Sequence, residues 1–251
     1  MRRAALLLLI GLLDAAAQAR AVGTSGEARF PATVSDATLG EFLRVGRVEA
    51  AIPRDADAWL RWGGAPVEHQ ASAVRAVVDA LSAARPRISL AAAILTIARV
   101  ESGWNPYARN PSSTACGIFQ FIRATWSSYD DSPDRCFDPQ RNAAAGVKHL
   151  IGLYETYVAP RVSLAAEVTT GDQRAALAYR LLYALHYHGE VAPVGLAGGS
   201  IDSQTASGAG LAHLQGYLSV LKHATTVQSG RRRRNPRTVR RGAVRKVRRS
   251  G

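Results

Sequence analysis

Residues 89–101, SLAAAILTIARVE, form an apolar run that ends on a carboxylate. Ile94, Leu95, Ile97, Ala98 and Glu101 recur at three- and four-residue spacings, so they lie on neighbouring parts of one helical surface. Ser89 is the expected N-cap. A largely buried helix is therefore predicted, with Glu101 at its C-terminal end. The negative end of the helix dipole and partial desolvation both disfavour an ionised carboxylate there, and both raise its pKa. A carboxyl group that keeps its proton near neutral pH is what general-acid cleavage of a glycosidic bond requires. The bland alternative is a helix-terminal glutamate facing water, the usual place for this residue type.

The residues that follow sharpen the choice. Glu101-Ser102 is followed by Asn105-Pro106, then by Gly117-Ile118-Phe119-Gln120-Phe121 and Thr125-Trp126. A second block reads Asp138-Pro139-x-x-Asn142-x-x-x-Gly146-Val147-Lys148-x-Leu150. In order and spacing the two blocks resemble the signature of the soluble lytic transglycosylase family, lysozyme-like enzymes that cleave peptidoglycan. The resemblance is good over residues 87–157 and weaker to 190. It leaves out the N-terminal 80 residues and the tail.

The resemblance implies a mainly α, lysozyme-like domain with a substrate cleft and at most a small β-hairpin. It also implies a peptidoglycan lytic transglycosylase that cuts the MurNAc-β-1,4-GlcNAc bond without water and leaves 1,6-anhydro-MurNAc ends. Glu101 acts first as acid and then, as its conjugate base, takes the proton from the muramic acid O6 that attacks its own C1. Most glycosidases add a second carboxylate. The candidates here, Asp130, Asp131, Asp134 and Asp138, share one loop and read as surface or turn residues, with Asp138 before Pro139 at a helix start. Matching positions make Ser102, Gln120, Gly117 and Phe121 candidate substrate-binding residues, with Ile122 beside Phe121 at the core or groove floor, and make Asn142 structural. Many family members also carry Tyr-Asn-Ala-Gly near the domain's end, with a tyrosine that reaches the catalytic glutamate. This chain departs from that pattern with Tyr187-His188-Gly189, so Tyr187 is the candidate contact, Tyr183 its rival, and His186 a further residue that could face the cleft. Similar variation occurs among transglycosylases serving envelope-spanning machines. No cofactor or metal is implied.

Residues 1–19 read as a secretory signal peptide: Arg2 and Arg3, a short apolar stretch from Ala4 to Leu13, and Ala17-Gln18-Ala19 as cleavage site. Ten apolar residues are too few to span a bilayer. Export to the periplasm or cell envelope is the expectation. The two cysteines, Cys116 and Cys136, are then expected to pair, closing a loop of about 20 residues worth roughly 3 kcal/mol. Two unpaired thiols are the alternative; zinc-like ligand spacing is missing.

Along the chain, residues 20–67 form an N-terminal extension: a flexible leader over 20–35, a helix over 36–51, then Trp59 and Trp62. Packing onto the domain is the safer reading of these tryptophans, and stacking on sugar rings the other. The catalytic domain is placed at 68–194, with helices over 68–85, 119–127, 140–158 and 172–188. Residues 195–230 are read as a linker followed by a last packing helix with Leu211, Leu214, Leu218 and Leu221 on one stripe.

The formal net charge is +13, but eleven of the 32 basic residues lie in 231–251 with no acid among them. The other 230 residues hold 21 bases against 19 acids, so the basic character belongs to a tail expected to be disordered. Such a tail suits an anionic envelope surface or wall polymer. Nucleic acid is disfavoured, because no aromatic residue interleaves with the arginines to stack on bases. Two other functions stand beside the transglycosylase: a hydrolytic muramidase of the same fold, and a catalytically impaired wall-binding protein acting through the tail.

Overall fold

The structure is a computed structural model that describes residues 26–49, 58–164, 170–188 and 208–234. The expected signal peptide, the linker up to residue 207 and the tail beyond Arg234 lie outside the described residues. The fold is mainly α. Helices α1 (Asp36–Gly46), α2 (Val67–Ala84), α3 (Ile88–Ser102), α4 (Arg123–Trp126), α5 (Pro139–Leu153), α6 (Ala159–Leu164), α7 (Gly171–His188) and α8 (Gly208–Arg234) follow in chain order. A π-helical turn over Tyr154–Val158 joins α5 to α6. No helix among the described residues is long and apolar enough to cross a membrane.

Helix α3 is the axis of the molecule. Leu90 to Ala98 are all buried, and a helix apolar on every side must be enclosed by others. Helices α7 and α8 form its main neighbours, α5 touches it, α2 packs on α5, and α1 bridges α2 and α8. Leu214, Tyr217, Leu218 and Leu221 of α8 are buried, so the leucine stripe is a packing face. That helix runs on through Arg231–Arg234, four residues into the segment expected to be disordered.

The start of α3 differs from the sequence reading, and its end agrees with it. The helix begins at Ile88, not after Ser89, and its exposed N–H groups are met from far away: Glu27 accepts from Ser89 N at 2.8 Å. Residues 28–30 pair with 86–88 through Ile88 N to Ala28 O and Phe30 N to Pro86 O, and Phe30 is fully buried. Part of the segment expected to be a flexible leader is thus structural. At the other end Gly103 takes the left-handed conformation, φ 62°, and ends the helix two residues after Glu101.

Other boundaries shift further. Helix α1 stops at Gly46 well before Pro53, and the predicted helix over 119–127 shrinks to α4. In place of a longer helix, Cys116 and Phe121 exchange both backbone hydrogen bonds, a minimal hairpin. Cys116 and Cys136 form the expected disulfide, with Cα atoms 6.0 Å apart.

Candidate active site

A cleft of about 1070 Å³ opens between the end of α3, the loop after it, the Cys116–Phe121 hairpin and the end of α7. Glu101 is the only carboxylate among the described residues that line it. It stands in the last turn of α3, where the buried face of the helix meets the cleft. Its Oε1 is shut off from solvent and has no hydrogen-bond partner among the described residues. Burial pushes its carboxyl group up to about 7, against a hydrogen bond from the Tyr183 hydroxyl that favours the charged form.

Of the two candidate tyrosines, Tyr183 is the one whose hydroxyl acts on Glu101. The two stand one turn apart on α7, and their rings lie 6.2 Å apart. Tyr183 is buried, whereas Tyr187 is 62% exposed on the cleft rim. Burial first, then the Glu101 charge, pushes the Tyr183 phenol far above its ordinary range, so it stays a donor. Tyr179, one turn deeper and stacked on Tyr183 at 6.0 Å, is pushed up to about 12.

His186 lines the same cleft. Its Nε2 lies 2.9 Å from Phe119 O, and since a carbonyl only accepts, that nitrogen carries the proton. Burial, and the neighbouring His149 whose ring is 5.6 Å away, depress its pKa to about 4, so it is neutral at physiological pH. Phe121 sits among Trp126, Tyr129, His149 and His186 and gives the cleft floor its aromatic character, with Ile122 exposed beside it. His149 fell at an unspecified position of the second sequence block, so no pattern pointed to it.

Gln120 lines the cleft, with a backbone φ of 48°. A side chain in the left-handed region is strained, and here Nε2 holds it by donating to Ala108 O and Gly117 O at 3.0 and 2.8 Å. Two expected substrate contacts do not reach the cleft. Ser102 is fully buried and its hydroxyl donates to Ala98 O at 3.1 Å, one turn back along α3. Gly117 has φ 75°, and a Cβ there would come within 2.3 Å of Asn142 Nδ2 and Cys136 O; the close approach it allows is to α5, not to a ligand. Asn142 is the structural residue expected: Oδ1 accepts from Phe119 N and Nδ2 donates to Cys136 O, both at 3.0 Å.

The loop after α3 is fastened by Asn105, which donates to Trp59 O and to Arg61 O and accepts from Tyr107 N. This fastening divides the two tryptophans. Trp59 packs against His69 and Tyr107. Trp62 stands 53% exposed on the cleft wall, its Nε1 donating to Val100 O at 2.8 Å and its ring 5.1 Å from the Arg99 guanidinium. Behind the loop the fully buried Trp104 donates from Nε1 to Tyr217 OH of α8 at 3.2 Å.

The acids of 130–138 lie elsewhere. Asp130 is held charged by Ser132 N and by Arg141 and Arg135; Asp138 caps α5 at Arg141 N; Asp131 is fully in solvent. Residues 82–180 match the family model described as the transglycosylase SLT domain. The chain carries an SLT domain. Comparison with curated proteins and with solved structures returned no match. The SLT match encloses Glu101, both sequence blocks and Tyr179, and it fits the lysozyme-like helical fold. It stops before Tyr183, His186 and Tyr187 on the same helix, the last two of which line the cleft. SLT-family proteins act on peptidoglycan outside the cytoplasm, so peptidoglycan is the substrate class the domain implies.

Proposed function

We propose that the protein is an exported lytic transglycosylase that cleaves the MurNAc-β-1,4-GlcNAc bond and leaves 1,6-anhydro-MurNAc ends, with Glu101 as the single acid and base. The observation that carries this is one mostly buried carboxyl group, poised at about 7, in a cleft whose described lining offers no second carboxylate.

In the first step Glu101 gives its proton to the departing GlcNAc O4 as the bond from C1 breaks. In the second step the Glu101 carboxylate takes the proton from the muramic acid O6–H as O6 closes on C1. Glu101 ends protonated, no water is consumed, and no further base is required. Tyr183 donates to the carboxylate and so stabilises the ionised form between the two steps. Gln120, Phe121 and Tyr187 contact the glycan from the floor and rim, while Ser102 and Gly117 shape the cleft from behind. Trp62, pinned by its hydrogen bond and exposed, is a platform for a sugar ring. The tail beyond the described residues holds the enzyme to an anionic envelope surface, at the service of an envelope-spanning machine.

The test is digestion of purified peptidoglycan with the wild-type protein and with Glu101→Gln, and mass spectrometry of the soluble products. Products ending in 1,6-anhydro-MurNAc that vanish in the variant support the proposal. Products carrying one added water make the protein a muramidase, and release by neither protein leaves wall binding.

A further inference from the structure

Beside the cleft lies a second hollow of about 350 Å³, between the hairpin, α4 and the turn leading to α5. The two share Arg109, Ser113 and Ala115, so the hollow adjoins the cleft along these residues. Arg109 and Arg123 stand over the hollow, both exposed. Neither forms an ion pair among the described residues, although Asp134 also borders the hollow. Their positions are held. The Arg109 guanidinium lies 4.9 Å from the Phe137 ring centre, and the chain at Arg123 is anchored by its N–H to Thr114 Oγ1 at 3.0 Å. The Cys116–Cys136 disulfide ties the two sides of the hollow together. On the cleft side Arg61 adds a third arginine with no ion pair among the described residues.

A neutral glycan offers these guanidinium groups no charge to pair with. Peptidoglycan differs from other β-1,4 glycans in that each muramic acid carries a peptide on its lactyl group, and that peptide has free carboxylates. An arginine fork meets a carboxylate through two parallel hydrogen bonds and is the side chain best suited to it. We infer that the hollow flanked by Arg109 and Arg123 is a binding site for the carboxylates of the peptide stem, which makes the enzyme selective for peptide-bearing over bare glycan. The inference rests on the peptidoglycan reading of the cleft and names the part of the substrate that leaves it sideways.

Two readouts test it. The first is titration of Glu101→Gln protein, which cannot turn over, with a disaccharide-tetrapeptide and with the same disaccharide lacking the peptide. The second is the ratio of kcat/KM on peptide-bearing strands to that on strands stripped by an amidase. The peptide-bearing ligand is expected to bind at least about 10-fold more tightly than the bare one. Adding Arg123→Ala, or Arg109→Ala with Arg123→Ala, should abolish that preference, and Arg123→Ala in active enzyme should lower the kcat/KM ratio by a similar factor. Arg123→Lys should restore part of it. Equal binding of the two ligands, or a preference that survives both substitutions, overturns the inference. Absence of anhydro products would count against the transglycosylase reading alone, because the titration does not depend on turnover.

Discussion

Glu101→Gln should stabilise the protein, and by an amount that grows with pH. The carboxyl group is raised from 4.5 to about 7 by burial, so between those pH values the folded chain holds a proton that the unfolded chain has lost. Stability then falls as pH rises, by about 1.4 kcal/mol per pH unit, until the folded group ionises as well. The glutamine side chain has the same shape and no charge to desolvate. Its advantage over glutamate should be under about 1 kcal/mol at pH 5 and about 3 kcal/mol at pH 8. For a chain of this size that is roughly 10 °C in melting temperature at pH 8. Thermal unfolding of both proteins at the two pH values, backed by urea titration, measures it. An advantage that is the same at both pH values, or a loss at pH 8, would refute the claim that burial holds the proton on Glu101.

Two further outcomes follow from the same geometry. Tyr183→Phe removes the hydrogen bond that holds the Glu101 pKa down, so the alkaline limb of the pH–rate profile should move upward while kcat falls about 10-fold; a limb that stays put would separate Tyr183 from the acid. Replacing Cys116 and Cys136 together by serine, or reducing the disulfide, should cost about 3 kcal/mol in denaturant unfolding, and an unchanged midpoint would show the hairpin to be held without it.

The helix bearing Glu101 was legible because its periodicity is local: every position that fixes the apolar surface lies within thirteen residues. The pairing of Cys116 with Cys136 was legible because only two cysteines are present. What escaped depended on distance along the chain. Ser89 looks like a cap in the local sequence, but Glu27, 62 residues away, supplies the carboxylate that meets the helix start. Motif position makes Ser102 and Gly117 ligand contacts, but it does not say which way a residue faces. Ser102 falls on the inner face of the helix, and Gly117 opposes Asn142. Tyr183 and Tyr187 share one face of α7, and depth along that face, which is set by α3, decided between them. Trp62 combines both readings given to the tryptophans: its indole N–H is tied down while its ring remains at the cleft.

The helix that carries Glu101 is closed at its start by Glu27 and propped at its end, through Trp104, by Tyr217, a residue 113 positions further on. Loops of that length must close before their contacts give anything back, so this region belongs to the slow, non-local part of folding. During synthesis from the N-terminus, the support under the Glu101 loop arrives only after α8 has emerged. A fragment cut at residue 180, the end of the family match, would leave the apolar flank of α3 facing water and Tyr183 missing. The folded unit is thus set by where the helix finds its two distant partners, and it is larger than the stretch that the signature outlines.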